Sequence, residues 1–217
     1  MIPLPHPFFS QGGSVTADRR RIIRSVLVAA ATLGQEEQPE IYHHVHPHGH
    51  ATATLTRSFA QAVLFPTHPN DPRLDEIQLG AHLHDFGKYL VAKSILLKPG
   101  PLTNEERAAI SGHPLYGAQV LAKLPSVTET VLQIVLYHHE RWDGSGYPEG
   151  LKGAAIPFGA RLVSVVDVYT SLRARRTYKP SLSRHAAAAA IEEMAGRELD
   201  PGLAEDFIRL LHGRTLR

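Results

Sequence analysis

The feature that most limits what this chain can become is the hexapeptide Leu83-His84-Asp85-Phe86-Gly87-Lys88 near its middle. Consecutive His and Asp offer an imidazole and a hard carboxylate side by side, a pairing that accepts iron, manganese, nickel or zinc. Two donors do not fill a coordination sphere, so a fold that uses this pair must bring further ligands to it from distant segments. Cysteine is absent. That removes disulfides and thiolate sites and leaves His, Asp and Glu to hold any metal. Candidates at wide spacing are His50, His113, His138, His139 and Asp167.

A length of 217 residues fits one domain with a substantial core. No run of about 18 apolar residues is present, so the sequence predicts no membrane span. The start, Met1-Ile2-Pro3-Leu4-Pro5-His6-Pro7, lacks the basic and apolar regions of a signal peptide. A cytoplasmic location is therefore expected. A formal charge of +2 gives no reason to expect a nucleic acid polymer as partner.

Hydrophobic spacing predicts helices and no strands. Ile22, Ile23, Val26, Leu27 and Ala30 mark a helix over Asp18 to Leu33, with Gly34 as its stop. Tyr42 to His50 holds five histidines in nine residues. Pro47 and Gly49 argue for a loop there, feeding a helix from about His50 to Phe65. Leu74, Ile77, Leu79 and Leu83 predict a helix ending near His84-Asp85, with Gly87 as terminator. Lys93 to Leu102 reads as a loop. Thr103 to Glu106 forms a capping box that opens a helix towards Leu124, and Ser126 to Glu129 forms a second one. Val131, Ile134, Val135 and His138 share one face of the helix that follows. The four glycines and two prolines of Arg141 to Pro157 predict a loop. Helices over Phe158 to Arg173, Ser183 to Ala195 and Pro201 to Leu211 complete an all-α chain.

Asp167, in Val165-Val166-Asp167-Val168, lies on a helix that is apolar almost all round. An unpaired carboxylate there costs several kcal/mol, so it needs a metal or a cationic partner. A buried ion pair with Arg or Lys is the competing explanation. His138 and His139 are adjacent, about 100° apart on a helix, so both serve one centre only at a helix end or beside two metals. His113 reads as a ligand or as a satisfied core histidine. Taken together, these donors point to a metal-dependent phosphohydrolase built on helices.

The series His84-Asp85-Phe86-Gly87-Lys88, His113-Pro114, His138-His139-Glu140, Asp143-Gly144-Ser145-Gly146-Tyr147-Pro148 and Asp167-Val168-Tyr169 resembles the HD-GYP family. These are HD-superfamily phosphodiesterases of bacterial signalling, and the resemblance covers about residues 45–212. It divides the chain into an N-terminal arm and helix, 1–44, and an HD-GYP domain, 45–217. It implies an all-α bundle with a central metal site that hydrolyses cyclic di-GMP to linear pGpG or GMP through a metal-bridging hydroxide. The implied metal ligands are His50, His84, Asp85, His113, His138, His139 and Asp167, with Asp85 bridging two divalent ions. Iron or manganese is implied first, and the same donors admit nickel or zinc. Asp85 and Lys88 carry the implied catalytic roles, and Lys88, Tyr147, Arg176 and Lys179 the implied substrate contacts. For Tyr147, packing on the loop's own backbone is the alternative. A diguanylate cyclase (GGDEF) partner at the Asp143–Pro148 loop is further implied, and the helix over Asp18 to Leu33 either covers the bundle or forms the seam of a homodimer.

Two positions depart from the family's pattern. His46 stands where members with a third metal carry Glu, which makes His46 a candidate third-metal ligand. Thr170 stands where the family commonly has Asp. These departures keep a second function open, a metal-loaded module that binds a cyclic dinucleotide or a cyclase without turning over. About 45 residues precede the resemblance, too few for a sensory domain, so a stand-alone domain is expected.

Overall fold

The structure, a computed structural model, describes residues 39–174 and 181–213. The helix expected over Asp18 to Leu33, and the side chains of Arg176 and Lys179, lie outside these residues. The described helices are α1 (Pro39–Leu64), α2 (Pro72–Leu83), α3 (Lys93–Leu96), α4 (Asn104–Ser111), α5 (His113–Leu121), α6 (Glu129–Tyr137), α7 (Phe158–Arg173), α8 (Arg184–Met194) and α9 (Pro201–Leu211). Short 3₁₀ turns occupy Phe86–Leu90 and Gly153–Ala155. Among the described residues there is no strand, only one isolated bridge between Ala195 and Leu199. The all-α expectation holds.

Two apolar clusters hold the bundle. The larger joins Phe59 and Ala60 of α1, Leu74 and Ile77 of α2, Ile134 of α6, Leu162, Val163 and Val166 of α7, Ile191 of α8 and Phe207 of α9. Phe207 meets Phe59 and Tyr169 edge-on, with ring centroids 5.0 and 5.3 Å apart. Asp200 caps α9 through the amides of Gly202 and Leu203 and pairs with Arg161, which ties α9 to α7. The smaller cluster sets Leu79 and Leu83 against Leu121, Val131 and Val135.

The first helix corrects the sequence reading. It runs unbroken through Pro47 and Gly49, where a loop was expected, and it crosses the expected boundary between residues 44 and 45. An interior proline costs a helix about 3 kcal/mol. Continuing the helix buries Ile41 completely and Val45 almost so. Each such aliphatic side chain contributes about 1.5–3 kcal/mol, so burial offsets the proline, whose ring faces outward. Gly49 has its own reason to be there, since a Cβ on it would lie 2.7 Å from the His82 carbonyl oxygen. α1 and α2 touch backbone to backbone at that point.

Three other expectations are modified. The capping box at Thr103 and Glu106 forms, but the helix it opens ends at Gly112, and Pro114 starts a new one. The second box does not form. Thr128 is the cap residue of α6 without a side-chain cap, and its hydroxyl donates to Glu76 at 3.3 Å instead. The segment from Lys93 contains the single turn of α3.

Gly87 is the tightest joint. A Cβ there would lie 1.9 Å from the His113 carbonyl oxygen and 2.7 Å from the Gly117 amide nitrogen. The Phe86–Leu90 turn thus seats directly on the start of α5. Gly87→Ala is expected to destabilise the fold by about 1–3 kcal/mol, as overpacking does elsewhere. Urea unfolding measures this, and an unchanged midpoint would contradict the contact.

Candidate metal centre

Three helix ends deliver most of the site. His84 is the residue that ends α2, His138 ends α6, and His113 opens α5 just after the Gly112 break. Each ring is fixed in the same way, with Nδ1 bonded to the carbonyl three residues earlier. The distances are 2.7 Å from His84 to Ala81, 2.8 Å from His113 to Ile110 and 2.9 Å from His138 to Val135. A ring whose Nδ1 is held by a carbonyl turns its Nε2 to the site, the arrangement in which metal-binding histidines are held.

Those nitrogens converge on Asp85. Its Oδ2 lies 3.4 Å from His84 Nε2, and its Oδ1 lies 3.2 Å from His113 Nε2 and 4.0 Å from His138 Nε2. One carboxylate oxygen therefore faces each of two donor sets. Asp85, His113, His138 and His139 form the first, their ligand atoms all within 4.8 Å of one another. His48, His84 and Asp85 form the second by the same measure. Asp167 completes it, with Oδ1 2.7 Å from His48 Nε2 and 3.6 Å from His84 Nε2. Lys88 follows Asp85 by three residues and donates to its Oδ2 at 2.6 Å.

These residues fit a divalent cation on their own chemistry. His84 Nε2 and Asp85 Oδ1 are fully buried without a hydrogen-bond partner, and each such orphan costs about 1–3 kcal/mol. His113 Nε2 and His138 Nε2 face each other at 3.3 Å. With both Nδ1 positions committed to carbonyls, a cation placed between the two Nε2 atoms would be held by both nitrogens.

The electrostatics agree. Burial alone would raise the pKa of Asp85, but Lys88 and His84 hold it well below the usual carboxylate range. Asp167 is likewise held low against its burial by the hydrogen bond from His48 and by the His84 imidazole nearby. Burial pushes His138 well below the usual imidazole value and His139 down to about 4. His84 goes the other way. Burial opposes its charge, yet the Asp85 and Asp167 carboxylates raise it to about 10.

The placement of the expected residues is mixed. His84, Asp85, His113, His138, His139 and Asp167 come together. Neither Arg nor Lys accounts for Asp167; histidines do. His50 does not join them, because its side chain is exposed and its ring lies 6.0 Å from that of His82, outside the cluster. His46 also faces His82, with ring centroids 5.3 Å apart, so it lies outside the two donor sets. The reason is the unbroken α1. At about 100° per residue, residues 48 and 50 point to opposite sides, and the inward stripe is Val45, His48, Thr52 and Thr56. His48 occupies the place expected for His50. The spacing Ile41, Val45, His48, Thr52 carries that signal in the sequence, and Pro47 conceals it.

Thr170 lies on the α1–α7 contact, where it meets the Thr52 hydroxyl at 2.9 Å and donates back to the Val166 carbonyl at 3.0 Å. Tyr147 packs on the site and not merely on its own loop: its ring stacks on His139 with centroids 4.9 Å apart. The loop is organised by Glu140, which the sequence reading left without a role. This buried carboxylate accepts hydrogen bonds from the amides of Glu149, Gly150 and Leu151 at 2.7, 3.1 and 3.0 Å. Gly146 allows the loop to fold onto it, since a Cβ there would lie 2.3 Å from the Arg141 amide. Beside the cluster opens a cavity of about 250 Å³, lined in part by His139, Arg141, Ser164, Asp167 and Ser171.

A family model described as an HD domain matches residues 36–203. The chain belongs to the HD domain family. It is 45% identical over 134 residues to a cyclic di-GMP phosphodiesterase of Vibrio cholerae, a match covering 59% of this chain and 27% of that protein. It is 34% identical over 186 residues to a cyclic di-GMP phosphodiesterase of Thermotoga maritima, covering 85% and 48% respectively. The chain thus spans roughly a quarter to a half of the length of these curated relatives. Its fold resembles that of Bd1817, an HDG"Y"P protein from Bdellovibrio bacteriovorus, with a TM-score of 0.64 at 21% identity, over 91% of this chain and 65% of that one. Among the described residues, no helix is long and apolar enough to cross a membrane.

The raised pKa of His84 makes metal uptake a proton exchange. Without a cation His84 carries a second proton up to about pH 10, and a cation on Nε2 must displace it. Binding at neutral pH is expected to release about one proton per chain from this group, and affinity to rise about tenfold per pH unit. Calorimetry with Mn²⁺ in buffers of different ionisation enthalpy measures the proton count. Zero release would contradict the assignment.

Proposed function

We propose that this chain is a phosphodiesterase that depends on two divalent cations and hydrolyses a cyclic dinucleotide, cyclic di-GMP first, to the linear dinucleotide or GMP. The observation that carries this reading is the buried Asp85, one oxygen turned to each of two histidine-rich donor sets. The relatives named as cyclic di-GMP phosphodiesterases support it. In this reading His48, His84, Asp85 and Asp167 hold one cation and Asp85, His113, His138 and His139 the other, with iron or manganese preferred. The pair would supply an acidified water at neutral pH and offset the charge of a phosphodiester.

The protein's own groups do the rest. Asp85 and Asp167 stay ionised, held so by Lys88, His84 and His48. His138 and His139 stay neutral because they are buried. Lys88, only partly buried, fixes Asp85 and turns its ammonium towards the position of a substrate phosphate. Tyr147 holds the His139 ring by stacking on it, and Arg141, paired with Glu198 at the cavity wall, would meet the second phosphate. Arg176 and Lys179 are assigned further phosphate contacts.

Catalysis is favoured over a binding module that does not turn over, because Thr170 is used in helix packing and leaves the donor sets untouched. Exposed Asp143, Ser145 and Pro148 on the rigid loop suit a protein partner such as a diguanylate cyclase. The enzyme is assigned to the cytoplasm, and self-association as a homodimer is part of the same reading.

The test is turnover of cyclic di-GMP, and of a hybrid cyclic dinucleotide, by anaerobically purified protein with Mn²⁺ or Fe²⁺. Product is expected from the wild type and from His50→Ala, and none from Asp85→Asn or His48→Ala. Full metal occupancy without product from any cyclic dinucleotide would overturn the enzyme and favour the binding module.

A further inference from the structure

On the side of α1 turned away from the cluster, a second group of histidines gathers. His46 and His50 are one helical turn apart, four residues, and so lie on one face. α2 places His82 against that face. The ring centroids of His82 lie 5.3 Å from His46 and 6.0 Å from His50. Tyr42 stacks on His46 at 4.6 Å and orients its ring.

We propose that His46, His50 and His82 form an accessory metal site that takes a borderline divalent cation, zinc or nickel. The site is separate from the Asp85 centre and does not depend on the enzymatic reading. Three arguments support it. The His46–His82 spacing of 5.3 Å is that of a shared ion, since with metal–nitrogen bonds of about 2.0–2.1 Å two imidazoles on a tetrahedral ion have centroids roughly 5 Å apart, and His50, its ring 6.0 Å from His82, has to turn inwards. The donor set is all nitrogen, which suits zinc and nickel over the harder ions that a carboxylate-bearing site takes. Finally, the backbone is preorganised. Gly49, next to His50 in α1, lets the helix close onto the His82 carbonyl, where a Cβ would come within 2.7 Å. The nitrogens meet by side-chain rotation, with His50 exposed and His46 and His82 only partly covered.

The neighbours of His82 on that face are the imidazoles of His46 and His50. A cation bound to these three rings ties α1 to α2 at the level of His48 and His84, each two residues from a member of the accessory site. It would stiffen the pair of helices that delivers half of the Asp85 centre. It is a clamp on that seam.

The test uses the full chain and Zn²⁺ alone. After saturation and removal of loosely held ion, metal per chain is measured by mass spectrometry for the wild type, a His46→Ala/His50→Ala double variant and His43→Ala. The double variant is expected to hold one zinc fewer than the wild type, and His43→Ala to match the wild type. Zn²⁺ should also raise the melting temperature of Asp85→Asn, which keeps the accessory site, and this rise should vanish when His46 and His50 are removed in the same background. Equal zinc in wild type and double variant would overturn the site. Equal loss in His43→Ala would overturn it too, by showing general surface-histidine binding. Turnover plays no part in either readout, so failure here is distinguishable from failure of the phosphodiesterase reading.

Discussion

A carboxylate buried among imidazoles, with one of its oxygens lacking any hydrogen bond, is the constraint around which this bundle is arranged. Asp85 is 3% exposed and its Oδ1 has no partner, a condition that would cost the fold stability if nothing occupied the centre. The surroundings are built to keep that carboxylate charged. Lys88 holds Oδ2 from the following turn, His84 and His113 approach from two helix ends, and the turn itself sits on α5 at a glycine that leaves no room for a side chain. Packing and chemistry meet in the same few residues. A stable Asp85 without a cation would need these neighbours to stay protonated, which holds for His84 and fails for His138.

The helix ends explain how distant sequence segments reach one point. His84, His113 and His138 each sit where a helix stops or restarts, and each spends Nδ1 on the carbonyl three residues back. That local bond sets ring direction independently of the rest of the fold. A helix terminus also has unpaired carbonyls, so the same residue that caps the backbone aims its other nitrogen inward. Asp167 arrives differently, from the middle of α7, and is half of a pair with His48. Glu140 plays for the glycine-rich loop the part that Lys88 plays for Asp85, gathering three amides onto one buried carboxylate.

Much of this was legible in the sequence. The Phe158–Arg173 and Pro201–Leu211 helices match their apolar patterns, and the buried face of His138 followed from Val131, Ile134 and Val135. Residue type made His84, Asp85, His113, His138, His139 and Asp167 candidates, burial cost singled out Asp167, and the resemblance to the HD-GYP family implied them as one ligand set. What was not legible is a matter of competing local signals. Pro47 reads as a helix breaker, and only the long-range burial of Ile41 and Val45 overrides it; the error then shifted the inward histidine from His48 to His50. Gly112 and Pro114 split a helix that its apolar spacing made continuous, because His113 must turn inwards. Glu140 gave no periodic signal at all, since its role depends on backbone amides nine to eleven residues away.

The central claim is that Asp85 joins two cation sites, one completed by His48, His84 and Asp167 and the other by His113, His138 and His139. Anomalous diffraction from crystals of the manganese-loaded protein tests it directly. The account predicts two peaks, one within each donor set and both in contact with Asp85, with no manganese at His50. A single peak, or two peaks that leave Asp85 uncoordinated, would contradict it.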